Sequence, residues 1–155
     1  MAHLELRAFI AATPEAVWAV LADLEGQQAE WMADVRRLEV VTERKRVAGT
    51  VLHVTSELFG LPLVKDTMEI TAWEPPRRME VLHRGQFHGT GRFLLAAGRG
   101  GTIFTWTEDF TPPLGAVGEL AFTLVVRRHL RRVFGRSVEN VRRISEGAAT
   151  RDRDA

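Results

Sequence analysis

The stretch Gly101-Thr102-Ile103-Phe104-Thr105-Trp106-Thr107-Glu108-Asp109-Phe110-Thr111-Pro112-Pro113-Leu114-Gly115 decides the fold. Up to Phe110 the side chains alternate. Phe104, Trp106 and Phe110 share one face, and Thr105, Thr107 and Asp109 the other, which is the period of a half-buried strand. Pro112-Pro113 stops that strand. From Leu114 to about Glu146 the period becomes helical, with Val117, Leu120, Leu124, Val133 or Phe134, Ser137, Val141 and Ile144 on one stripe. Gly115 and Gly118 weaken its first turns. A sheet with one apolar face needs a cover, and only this helical run is long enough to provide it.

Upstream, the chain reads as more strands of the same sheet. Segments near 36–46, 50–59, 63–73, 77–84, 87–97 and 102–111 are separated by Ala48-Gly49, Gly60-Leu61-Pro62, Glu74-Pro75-Pro76, Gly85-Gln86 and Gly98-Arg99-Gly100-Gly101. Such short connections predict an antiparallel meander. Leu4, Leu6, Ala8 and Ile10 alternate with their neighbours and predict a first strand. Thr13-Pro14-Glu15 then opens a helix, with threonine as cap, proline in the first turn and glutamate at the positive end of the dipole. Gly26 ends it, and a short second helix is expected over 28–32. The expectation is one α+β domain over residues 1–147, followed by a disordered tail over 148–155.

Composition narrows the function classes. A chain of 155 residues buries roughly 70% of its unfolded surface, enough for a core without staples. The 21 basic and 20 acidic residues leave a net charge of +1, so no global field argues for nucleic acid or an anionic membrane. Lys45 and Lys65 are the only lysines beside many arginines, a bias read as genomic. Cysteine is absent, which removes disulfides, thiol catalysis and cysteine-bound zinc. Tyrosine is absent too. No apolar run reaches the ~20 residues of a membrane span, and the N-terminus lacks signal-peptide features, so a cytoplasmic location is expected.

The order of strand, two short helices, six strands and one long helix resembles the helix-grip fold of the START-like superfamily. Thr13-Pro14-Glu15-Ala16-Val17-Trp18, Leu21-Ala22-Asp23-Leu24-Glu25 and Glu30-Trp31-Met32 are similar to its first helices. Gly101-Thr102-Ile103-Phe104-Thr105-Trp106 resembles its final strand. Pro113-Leu114-Gly115-Ala116-Val117-Gly118 and Glu139-Asn140-Val141-Arg142-Arg143-Ile144 resemble the two ends of its last helix. Within the superfamily the chain looks most like the polyketide cyclase/dehydrase branch. The resemblance implies a curved seven-stranded antiparallel sheet gripping the helix, and a cavity for a hydrophobic small molecule between them. Aromatic cyclases of this fold commonly use tyrosine and arginine in the cavity, and this chain has no tyrosine.

Hairpin lengths set the register and hence the inward face. A four-residue loop over 98–101 pairs Leu95 with Phe104, Phe93 with Trp106 and Gly91 with Glu108. A loop over 74–77 pairs Ala72 with Met79, Ile70 with Val81 and Met68 with His83. Pairing Leu58 with Val64 sets Val54 against Met68 and Ser56 against Asp66. A three-residue loop over 84–86 pairs His83 with Phe87. The inward apolar residues are then Leu52, Val54, Met68, Ile70, Val81, Phe87, Phe93, Phe104, Trp106 and Phe110. They read either as an ordinary filled core or as a cavity wall, and Gly89 and Gly91 favour the wall.

Inward polar residues are more informative, because burying them unpaired costs about 1–3 kcal/mol. They are Ser56, Asp66, His83 and Glu108. Asp66 and His83 fall diagonally on neighbouring strands, close enough to meet. The pair reads either as a general base with its orienting carboxylate or as a satisfied buried pair. Glu108 is expected roughly 16 Å from His83, where it either binds a ligand hydroxyl or lies at the water-facing rim. His53 and His88 point to solvent, and no histidine spacing suits a metal. No cofactor is expected.

Arg127, Arg128, Arg131, Arg132, Arg136, Arg142 and Arg143 read as the helix's solvated face or as a dock for an acidic partner, an anionic lipid head group or a carrier protein. The apolar run from Leu120 to Val126 reads as buried, as a cavity gate or as a homodimer surface, with Leu120 and Leu124 facing the ligand. Three functions follow: a binding protein for a lipid, polyketide or quinone; a cyclase or dehydratase with His83 and Asp66 catalytic; or an interaction module using the arginine-rich helix.

Overall fold

The computed structural model describes residues 2–26, 28–111 and 115–155. Pro112, Pro113 and Leu114, expected to end the last strand and open the helix, lie outside the described residues, as does Gln27. Seven strands form one antiparallel sheet: β1 (Ala2–Ile10), β2 (Val35–Val40), β3 (Val51–Leu58), β4 (Leu61–Glu74), β5 (Arg78–Arg84), β6 (His88–Gly98) and β7 (Gly101–Thr111). Their spatial order is β1-β7-β6-β5-β4-β3-β2, so six consecutive strands form a meander and the first strand returns to pair with the last. The helix-grip architecture read from the sequence is therefore the one observed.

The helices begin where the local chemistry allows. Thr13 caps α1 (Pro14–Leu21) by accepting a hydrogen bond from Ala16 N at 3.2 Å, and Pro14 occupies the first turn. The short α2 (Gln28–Trp31) follows, and two hydrogen bonds tie its end to the long helix. Ala33 N donates to Ser137 Oγ at 2.9 Å, and Asn140 Nδ2 donates to Trp31 O at 3.2 Å. The C-terminal run comprises α3 (Gly115–Ala121), a π-helical segment over Phe122–Val126 and α4 (Arg127–Asp154).

Two features differ from the sequence reading. The tail over 148–155, expected to be disordered, continues α4 as helix through Asp154. Thr150 is one link, its hydroxyl donating to Glu146 O at 3.0 Å. The inward stripe of the helical run is also different. Leu120 and Leu124 fall inward on an ideal helix. The π turn is wider, so residues four apart stay in phase, and the inward set becomes Phe122, Val126, Leu130 and Phe134. Val117, Leu120 and Leu124 are 74%, 62% and 69% exposed.

The registers explain which residues meet. On β6–β7, Leu95 faces Phe104, Phe93 faces Trp106 and Gly91 faces Glu108, as expected. On β4–β5, Ile70 faces Val81 and Met68 faces His83, but an irregularity after Ile70 brings Met79 opposite Trp73 instead of Ala72. The β3–β4 hairpin is tighter than expected, so Val54 faces Asp66 and Ser56 faces Val64. The β5–β6 loop is Gly85-Gln86-Phe87, and His83 faces Gly89 rather than Phe87. The β3–β4 and β5–β6 slips are by two residues, which leaves their side chains on the expected faces, whereas the one-residue irregularity after Ile70 turns Trp73 inward in place of Ala72.

A tight core forms where α1 and α4 cross β1, β6 and β7. Phe93, Phe104 and Trp106 interlock edge to face, and the Phe134 ring stacks on Trp106 at 4.5 Å between centroids. A smaller cluster of Leu24, Val35, Leu52, Val54 and Ile70 lies under β2, β3 and β4. Between them the sheet and the helix part.

Candidate functional site: an apolar hollow with a charged floor

Two adjoining lobes open between the sheet and the helical run. The larger has about 720 Å³ of empty space, counted out through its mouth, and the smaller about 490 Å³. They share Met32, Met68, His83 and Glu108 as common wall. Val54, Val81 and Phe93 line the smaller lobe. Ser56, Asp66, Phe87 and Trp106 line the larger, which Phe110, Phe122, Val126 and Phe134 help to roof. Ten of the sequence-derived ligand and catalytic candidates thus border the hollow: Val54, Ser56, Asp66, Met68, Val81, His83, Phe87, Phe93, Trp106 and Glu108. Ile70 and Phe104 do not; they are buried in the packed clusters. Leu120 and Leu124 do not either, because the π turn faces them outward.

The floor is a chain of hydrogen bonds across four strands. Gly85 N donates to Asp66 Oδ1 at 2.8 Å, which anchors the β5–β6 loop. Asp66 Oδ2 lies 2.5 Å from His83 Nδ1, and Glu108 Oε2 lies 3.2 Å from His83 Nε2. Trp106 Nε1 donates to Glu108 Oε1 at 2.7 Å. Asp66, His83 and Glu108 are 9%, 6% and 5% exposed, so the network is buried. The expected meeting of Asp66 and His83 is present.

The expected separation of Glu108 from His83 is not. Because His83 faces Gly89 and Gly89 faces Phe110, Glu108 is displaced from His83 by two residues along the strand, where four were expected. Gly91 closes the remaining gap. A Cβ there would lie 2.7 Å from Glu108 Oε1, so only glycine lets this carboxylate lean across β6 toward the imidazole. Glu108 is therefore buried in the floor and not at the rim.

The two carboxylates determine the state of the histidine. Burial opposes charge on the ring. The hydrogen bonds and charges of Asp66 and Glu108 outweigh it and push His83 up to about 10. At neutral pH it is an imidazolium donating from both nitrogens. An imidazole already holding both protons has no free lone pair, so it does not fit the expected role of general base.

Sequence reasoning missed Asp34. It precedes β2, lies outside any alternating pattern, and lines the larger lobe beside Ser56. Burial pushes its carboxyl up to about 6; its own backbone and the Ser56 hydroxyl partly offset this, and the charge of Glu108 adds to it. Among the described residues, no group of side chains is arranged to hold a metal ion, and no helix is long and apolar enough to cross a membrane.

A family model for polyketide cyclase/dehydrase and lipid transport proteins matches residues 1–146. The chain belongs to that family. Solved structures share the fold of this cyclase/lipid-transport family member at low identity. TTHA0849 from Thermus thermophilus superposes with a TM-score of 0.78 at 20% identity, covering 95% of this chain and 99% of that one. Protein BH1534 of Bacillus halodurans gives 0.70 at 22% identity, covering 94% and 98%. The Aha1 dimer of Colwellia psychrerythraea gives 0.67 at 14%, covering 94% and 97%. No curated protein matches the sequence.

Proposed function

We propose that the chain binds an apolar small molecule of lipid, polyketide or quinone type in the hollow between the sheet and the helical run. The observation that carries this reading is the larger lobe, walled by Phe87, Phe110, Phe122, Val126 and Phe134 and floored by a buried polar network. Apolar walls supply affinity without direction. At ~25 cal/mol per Å², burying about 200 Å² of ligand surface gives about 5 kcal/mol. The few polar groups then fix which end of the ligand points inward.

Filling the hollow tests the reading. Val126→Trp places a large ring in the lobe from a half-buried helix position. An apolar fluorescent probe should bind the parent chain and lose at least tenfold in affinity to the variant, with the circular dichroism unchanged. Undiminished binding by a folded variant overturns the proposal.

A second reading, a cofactor-independent cyclase or dehydratase, is favoured by one observation. Asp34, pushed up to about 6 mainly by burial, lies in the same lobe as the imidazolium of His83. In this reading Asp34 takes a proton from a carbon between carbonyl groups, while the fixed charge of His83 favours the resulting enolate. Asp34→Asn should then abolish turnover while ligand still binds; unchanged turnover removes Asp34 from the mechanism.

A further inference from the structure

The lining of the hollow does not resemble the rest of the molecule. The chain carries 21 lysine and arginine residues and a net charge of +1. Among the described residues, none of those cations lines either lobe. Four acidic residues do: Asp34, Glu57, Asp66 and Glu108. Against them stands one basic side chain, His83.

The local charge balance is negative. Arg36 pairs with Glu57 from the solvent side, which removes one acidic group. His83 is shared by Asp66 and Glu108, so one imidazolium answers two carboxylates. Asp34 has the Ser56 hydroxyl beside it, and among the described residues no salt bridge reaches it. Apolar walls keep the local dielectric low, so this imbalance acts strongly on whatever polar group enters.

We infer that the hollow selects its ligand by charge: it takes an apolar molecule ending in a cationic nitrogen, of the alkylamine class, and rejects fatty-acid-type carboxylates. This rests on the binding reading above. The ammonium end lies toward Asp34 and Glu108, and the chain lies against Phe110, Phe122 and Phe134. A carboxylate placed there meets other carboxylates, while the imidazolium N–H groups are engaged by Asp66 and Glu108 and the Ser56 hydroxyl by Asp34. Burial is the main cause of the upward displacement of Asp34, and the charges of Glu108 and Glu57 add to it.

The test uses three probes with one chain and three heads: decylamine, decanol and decanoate. Each is titrated calorimetrically into the full chain at mildly alkaline pH, below its micelle concentration. Decylamine is expected to bind at least roughly tenfold more tightly than decanoate, with decanol between them. In Asp34→Asn the gap should shrink severalfold. Surface binding works in the opposite sense, because a net positive exterior favours decanoate, so the amine preference reports on the hollow. Decanoate binding as tightly as decylamine, or an undiminished gap in Asp34→Asn, overturns the inference and leaves the binding reading intact. If none of the three binds, the binding reading fails and this one with it.

Discussion

The two halves of the sheet meet the same helical run in opposite ways. Under β1, β6 and β7 the contact is closed. Phe93, Phe104 and Trp106 rise from the sheet, and Val133, Phe134, Val138 and Val141 descend to meet them, all buried. Toward β3 and β4 the contact is open. The sheet offers Ser56, Val64 and Asp66, and the run above them offers only every fourth residue, Phe122, Val126 and Leu130, to the lobe. The outward face of that run keeps Val117, Leu120, Leu124 and Val125 in solvent. Aromatic residues on both sides close the gap in one half. In the other, small or polar sheet residues and a wide helical turn hold it open. The Trp106–Phe134 stack marks the boundary, since both residues also line the lobe.

Substitutions should separate the halves by size of effect. Phe104→Ala empties a site in the closed half that is 1% exposed, and should cost about 3–5 kcal/mol in urea denaturation. A loss below about 1 kcal/mol would show that this half is not tightly packed. At the boundary, His83 is held charged up to about 10, against 6.5 for the free ring. Its stabilisation is therefore complete below about 6.5 and is lost as pH rises through about 10. The denaturation midpoint should fall across that window in the parent chain, and His83→Gln should flatten the fall. No tyrosine titrates there to obscure it. The smallest effect belongs to the open half. Leu124→Ser, at a position 69% exposed, should change stability by no more than about 0.5 kcal/mol. A larger loss would mean that this face is covered in solution.

The closed half is more legible in the sequence than the open one. Strand alternation and hairpin loops conserve parity, so the inward face is correct even where β3–β4 and β5–β6 slip by two residues. Distances along the strands do not survive such a slip, which is why the sequence puts Glu108 at the rim instead of against His83. The Gly91 signal is visible, but its meaning depends on the register. An ideal helix selects Leu120 and Leu124 over Phe122 and Val126, because a single π turn leaves no mark in composition and rotates the face of everything before it. Asp34 belongs to no periodic element, so only the folded chain brings it to the lobe.

The central claim is that the open half holds a ligand. A crystal of the chain grown with a terminally brominated alkylamine tests it most directly, because anomalous scattering locates the bromine independently of interpretation. Bromine between Phe110, Phe122 and Phe134, with the nitrogen toward Asp34, is the expected result. Bromine confined to the outer face of α3 around Leu120, with the lobe closed by its own side chains, would contradict the account.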